Sequence, residues 1–132
     1  MSNNYPIKRV VIHCSDSPHR GDGAETIHEW HLARGWAGIG YHYVINELGE
    51  LEFGRPEYWI GSHVAEFNSN SIGICLLGVD KFTDAQWSTL RKLVIDLRIR
   101  HGKVDVCGHT DLDSKKSCPN FNVKKWLKEQ GL

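Results

Sequence analysis

Between residues 8 and 14 the side chains alternate, with Val10, Ile12 and Cys14 on one side and Val11 and His13 on the other. That period of two predicts a strand. Residues 15–23 are dominated by Ser, Asp, Pro and Gly and predict a loop. Thr26-Ile-His-Glu29 has the spacing of a capping box, so a helix is expected to open at Thr26, carry Ile27 and Trp30 inward and stop at Gly35. A connector punctuated by glycines covers 36–40. Alternation returns over 41–46, placing Tyr41, Tyr43 and Ile45 on one face and His42 on the other. Leu48-Gly49 marks a turn into a short strand at 50–53, which makes a hairpin. Residues 54–70 are polar and irregular. The run Ser71-Ile-Gly-Ile-Cys-Leu-Leu77 is apolar nearly throughout and predicts a central strand covered on both faces. Thr83-Asp-Ala-Gln86 is a second capping box; it opens a helix reaching Gly102, with Trp87, Leu90, Val94 and Leu97 along one stripe. A short strand at 103–106 then leads toward His109, and Asn122 caps a last helix bearing Val123, Trp126 and Leu127.

The order β-α-β-β-β-α-β-α predicts an α/β fold in one domain over residues 1–132, with 1–6 as an N-terminal arm. A mixed central sheet of about five strands is expected between about three helices. Lys plus Arg number 16 and Asp plus Glu number 16, so no net field draws the chain to nucleic acid or to an anionic membrane. No stretch approaches the length of a membrane span. The start, Met-Ser-Asn-Asn-Tyr-Pro, has no apolar signal region, so synthesis in the cytoplasm without a signal peptide is expected. A monomer is expected.

The eight histidines raise the prospect of a metal or acid–base site. The four cysteines, at 14, 75, 107 and 118, form no closely spaced framework. Cys75 sits in an apolar run, and Cys14 and Cys107 border strands, where each reads as a packing residue. Cys118 differs, because it stands in the polar stretch Cys107-Gly-His-Thr-Asp-Leu-Asp-Ser-Lys-Lys-Ser-Cys-Pro-Asn-Phe121, which also carries His109 and Lys116. Imidazole and thiolate are the donors Zn²⁺ prefers. Two ligands cannot hold the ion, and His13, at a strand end, is the best candidate for a third. Three protein ligands leave a fourth position for water, the pattern of a catalytic zinc. His13 and His109 both lie at or just past strand ends, the edge where ligands gather in open α/β sheets. His31 and His42 read as structural; His19, His28 and His101 read as surface residues.

Five stretches together resemble the type-2 N-acetylmuramoyl-L-alanine amidases, the zinc amidases found as phage lysozymes (endolysins), with peptidoglycan recognition proteins as relatives. They are Val-Val-Ile-His13-Cys-Ser; Trp30-His-Leu-Ala-Arg-Gly-Trp36; Gly38-Ile-Gly-Tyr41-His-Tyr-Val-Ile45; Gly61-Ser-His63 through Asn68-Ser-Asn-Ser71-Ile-Gly-Ile74; and Gly108-His109 through Lys116-Ser-Cys118-Pro. The resemblance implies an amidase-like fold, zinc held by His13, His109 and Cys118, and catalytic parts for Tyr41 and Lys116. His63 is then expected to line the cleft as a substrate contact. Trp36, Trp59 and Asn68 are candidates to line a sugar-peptide groove. Two positions depart from the family pattern: Glu66 stands where glycine is frequent, and Ser62 where alanine is usual.

The implied reaction is hydrolysis of the amide between N-acetylmuramic acid and L-alanine in peptidoglycan, on the cell wall after the protein's release. Three other functions stay open. A non-catalytic peptidoglycan receptor is disfavoured by Cys118, since family members of that kind lack the cysteine ligand. Some phage lysozymes also bind and inhibit an RNA polymerase, and the balanced charge neither supports nor excludes such a partner. A cytosolic recycling amidase ranks lower, because those relatives usually carry an aspartate in the Cys118 place.

Overall fold

A computed structural model describes residues 6–17 and 21–132. Of the expected N-terminal arm only Pro6 is included, and His19 lies outside the described residues. The elements are β1 (Arg9–Cys14), α1 (Ala24–Ala33), β2 (Tyr43–Ile45), β3 (Leu51–Phe53), β4 (Ser71–Leu76), α2 (Asp84–His101), β5 (Asp105–Gly108), α3 (His109–Leu112) and α4 (Val123–Glu129). The five strands form one mixed sheet in the order β3-β2-β4-β1-β5. Strand β1 runs parallel to both β4 and β5, β2 runs parallel to β4, and only the β2–β3 hairpin is antiparallel. Parallel strands need crossovers, and α1 and α2 lie on those from β1 to β2 and from β4 to β5, each passing over one intervening strand.

The pleat divides the interior. From β1 and β4, Val10, Ile12, Ile72, Ile74 and Leu76 pack with Leu90, Val94 and Leu97 of α2 and with Val123, Trp126 and Leu127 of α4. This is the main core. On the opposite face, Cys75 and Val44 meet Ile27 of α1 and Ile39, and Val11 and Cys107 meet Val64. The second face is covered by smaller clusters, and the polar side chain His13 emerges there.

The sequence expectations hold for the sheet and for α2, whose capping box at Thr83 and Gln86 is present. Four local expectations are corrected. Helix α1 opens at Ala24, with no side-chain cap from its own segment. Instead the Glu52 carboxylate of β3 accepts from the Ala24 amide at 2.7 Å. An anion from a neighbouring strand thus meets the positive end of the helix and outcompetes the Thr26 box. Strand β2 is limited to Tyr43–Ile45, because pairing with β4 and β3 begins only at Tyr43. Tyr43 and Ile45 enter the main core while Tyr41 packs on the α1 face. Strand β5 starts at Asp105, where register with Arg9 begins, and runs to Gly108. Finally, His109–Leu112 form one helical turn, a fourth helix where a loop was expected, with the Asp111 carboxylate accepting from the Gly108 amide at 2.8 Å.

His101 is also not an ordinary surface residue. Its Nε2 lies 2.6 Å from Glu57, which Arg100 and the Tyr43 hydroxyl also reach. Burial alone would raise the Glu57 carboxyl, but hydrogen bonds from Arg100, Tyr43 and His101 hold it at about 2. This hub ties the irregular segment after β3 to the end of α2. Among the described residues no helix is long and apolar enough to cross a membrane.

Gln86 gives the fold its clearest internal test. It is fully buried; its Nε2 donates to the carbonyls of Leu77 (2.8 Å) and Ile45 (3.2 Å), and its Oε1 accepts from the Thr83 amide. Ile45 keeps another donor, the Leu77 amide. Gln86→Leu therefore takes the acceptor from the Thr83 amide, at about 1–3 kcal/mol, and removes one donor from the Leu77 carbonyl. Urea unfolding should show a loss of at least about 1 kcal/mol, whereas an unchanged midpoint would contradict this accounting.

Candidate metal centre and its cleft

Three donors converge at the carboxyl edge of the sheet. His13 ends β1 one residue early, and β5 ends at Gly108, so the next residue is His109. Because the two strands are parallel, with Ile12 opposite Gly108, their following side chains leave at the same edge. The chain then makes the α3 turn and a loop that returns to β1. There the Cys14 amide donates to Cys118 Sγ at 3.0 Å, and the Thr110 amide to the Cys118 carbonyl at 2.9 Å. One donor atom from each of His13, His109 and Cys118 lies within 4.8 Å of the others. Two imidazoles and a sulfur in one cluster fit the donor preference of Zn²⁺.

The cluster lies in a cleft of about 640 Å³ also lined by His31, Arg34, Trp36, Tyr41, His63, Asn68 and Lys116. All but one of the residues proposed from the sequence for the metal, for catalysis or for substrate are therefore in this one cleft. Trp59 is not; it lines a separate cavity of similar size with Phe53, Arg55 and Ile39. Lys116 is exposed at the cleft, whereas neighbouring Lys115 is not part of its lining. Tyr41 sets its ring 5.1 Å from that of His13. Trp36 stacks at 4.4 Å from His31 and beneath Arg34. A single carboxylate, Asp16, belongs to the lining among the described residues.

Several candidates are already committed to protein partners. His63 is 8% exposed, with Nδ1 3.0 Å from His13 Nε2 and Nε2 3.0 Å from Ser71 Oγ. Both its nitrogens face the chain, leaving its carbon edge for any ligand. Asn68 spends its Oδ1 on the amides of His63 and Val64, both at 2.9 Å. Its first task is to shape the loop that carries His63. The departures from the family pattern also find their places. Glu66 has φ of 71°, a left-handed backbone that glycine adopts without steric cost, which accounts for the usual residue there. Ser62 borders the cleft and its amide bonds the Gly40 carbonyl.

His31 reads as structural from its helical position, but it reaches the cleft. Its Nδ1 accepts from the Gly40 amide at 2.9 Å, which turns Nε2 elsewhere. Its alternation with Trp30 along α1 was the signal; Trp30 packs into the smaller core and His31 toward Tyr41. Arg34 was missed because a charged residue at a helix end ordinarily reads as a solvated cap. His42 is structural, as expected, with Nδ1 accepting from Gly73 and Nε2 donating to the Trp59 carbonyl.

Burial sets the charge state of the site. It holds His13 and His63 well below the usual imidazole range, helped by their neighbouring imidazoles. His109 is lowered by burial and by the Lys116 charge, and His31 falls to about 4 for the same first reason. All four are neutral at pH 7 and can offer lone pairs. Tyr41 is raised well above its usual value by burial, so it holds its proton and acts as a donor. Cys118 is raised by its hydrogen bond with Cys14 and by burial, so without metal it is a thiol.

A zinc ion held by these three donors would displace one thiol proton and none from the histidines. Zinc affinity, followed by chelator competition, should rise about tenfold per pH unit between about pH 7 and 9. A flat profile would remove Cys118 from the ligand set.

The profile of the N-acetylmuramoyl-L-alanine amidase family matches residues 3–121. The chain is 35% identical over 133 residues to an endolysin of Klebsiella phage KP32, across 94% of this chain and 87% of that protein. To the endolysin of Escherichia phage T7 it is 36% identical over 132 residues, covering 93% and 87%. It is 33% identical to the Drosophila melanogaster peptidoglycan-recognition protein SC2, over 91% of this chain and 71% of that one. Among solved structures, the endolysin N-acetylmuramoyl-L-alanine amidase LysCS from Clostridium intestinale URNW superposes with a TM-score of 0.86 at 28% identity, covering 95% of this chain and 84% of that one.

Proposed function

Because the chain belongs to the N-acetylmuramoyl-L-alanine amidase family, we propose that it cleaves the amide between N-acetylmuramic acid and L-alanine in peptidoglycan with a zinc ion held by His13, His109 and Cys118. The observation that carries this reading is the meeting of two neutral imidazoles and a thiol within 4.8 Å in an open cleft. When bound there, zinc supplies a Lewis acid for the amide carbonyl and a source of hydroxide at neutral pH.

The remaining residues divide the work of handling the substrate. Lys116 is exposed beside His109 and brings its ammonium to the negative charge that builds on the carbonyl oxygen. A cation placed to meet that oxyanion contributes about 2.7–4 kcal/mol, by analogy with a hydrogen-bond donor in the same role. Tyr41, with its ring 5.1 Å from that of His13, keeps its phenolic proton and serves as a hydrogen-bond donor. Trp36, stacked on His31, offers an apolar wall, and Arg34 supplies a charge at its rim. The design differs from the H-E-x-x-H zincins, since no glutamate adjoins the ligands.

A receptor that binds peptidoglycan without cutting it is the second reading, favoured by the likeness to a peptidoglycan-recognition protein. Cys118 argues against it, because a receptor has no use for a thiol at that place.

Mass spectrometry of peptidoglycan digests separates the two, since cleavage releases stem peptides with a free L-alanine amine. Cys118→Ser should abolish that product and the bound zinc together; a full metal complement with normal cleavage would refute the ligand set. Lys116→Ala should keep zinc and lose about 10²–10³ in kcat, while Lys115→Ala should leave kcat unchanged. Equal losses from both would show that the wrong lysine has been assigned.

A further inference from the structure

We propose that His63 is a positioning residue, the middle of a Ser71–His63–His13 chain that keeps the proton of His13 on Nε2 and turns a bare Nδ1 to the metal. The inference rests on the reading of His13 as a zinc ligand and deepens it.

Geometry leads there directly. His13 Nε2 and His63 Nδ1 are 3.0 Å apart, and one proton serves the pair. If His63 supplied it, the one ring proton of a neutral His13 would sit on Nδ1, and neither His13 nitrogen would offer a lone pair to the cleft. If His13 supplies it, Nδ1 carries a free lone pair. His63 must then accept at Nδ1 and hold its own proton on Nε2, where Ser71 Oγ waits at 3.0 Å. A hydroxyl can accept as readily as it donates. His31 and His42 show the contrast: a backbone amide faces Nδ1 of each and fixes its tautomer outright. His63 has side-chain partners on both nitrogens, so its tautomer follows the needs of His13.

The surroundings are built to hold this ring. It sits between two glycines: a Cβ on Gly73 would stand 2.6 Å from its Cγ, and one on Gly61 2.6 Å from its Cδ2. Asn68 clamps the backbone on either side of its attachment. The ring meets His13 edge-on, at 5.1 Å and 89°. Ser71 is fully buried at the first position of β4, opposite Arg9 in register, so the acceptor is anchored in the sheet that also carries His13. Partners of this kind, which orient a ligating histidine, are worth roughly 10–100-fold in metal affinity.

Nitrogen NMR of the zinc-loaded, ¹⁵N-labelled native protein reads the arrangement without any substitution. The expected spectrum has His13 protonated at Nε2 with a metal-bound Nδ1, and His63 protonated at Nε2. Coordination of His13 through Nε2, or a proton on His63 Nδ1, would overturn the proposal. Chelator competition gives a second readout. His63→Ala should weaken zinc binding about 10–100-fold, and His63→Asn, whose amide oxygen can stand in for Nδ1, should restore most of the loss. Zinc affinity unchanged in His63→Ala but abolished in His13→Ala would make His63 a mere space filler. Unchanged affinity in His13→Ala would instead sink the underlying zinc assignment.

Discussion

Strand β1 hydrogen-bonds to a parallel neighbour on each side, and the site depends on that constraint. Register with β4 sets His13 opposite Cys75, and register with β5 sets Ile12 opposite Gly108. Two strands running in one direction can end together only if the chain crosses back between them, and α2 lies on the route from β4 to β5. What would be distant residues in an extended chain become neighbours at one edge. The third donor arrives by a different route. Cys118 lies in a loop and is held by a backbone amide of the same strand, Cys14. Both ends of the chain are thus referred to β1.

The division of the two sheet faces explains why a polar cluster is tolerated beside a small core. The face toward α2 and α4 carries the large aliphatic side chains. The other face carries Gly73, Cys75, Val11 and Cys107, small enough to admit a shell of histidines. In that shell burial favours the neutral form of each imidazole, and a neutral imidazole is what a metal requires. The hydrogen bond with Cys14, together with burial, keeps Cys118 protonated in the absence of metal. Charge is confined to the rim, where Lys116 and Arg34 remain in contact with water.

Much of this was legible in the residues. The near-continuous run at 71–77 announced a strand covered on both faces, and Thr83 and Gln86 announced the start of α2. His109 and Cys118 stood out because a thiol in a polar loop has little reason to be there without a partner. The start of α1 was not legible, because its cap comes from Glu52, a residue on another element. The face of Tyr41 was misjudged because pairing, not alternation, decides where β2 begins. The roles of His63 and Asn68 were hidden for a related reason. Their side chains lie in a cleft, as a substrate contact would, yet both nitrogens of His63 and the Oδ1 of Asn68 have partners in the chain itself. Only three-dimensional partners distinguish the two uses of the same residue types.

The likeness to endolysins and to peptidoglycan-recognition proteins places one scaffold beneath both cutting and binding. At the carboxyl edge of that scaffold this chain sets a sulfur among imidazoles. The most direct measurement is anomalous diffraction at the zinc absorption edge from crystals of active protein. One strong peak within bonding distance of His13, His109 and Cys118, and no comparable peak elsewhere, is the predicted result. A fully active protein with no peak at those three residues would contradict the account.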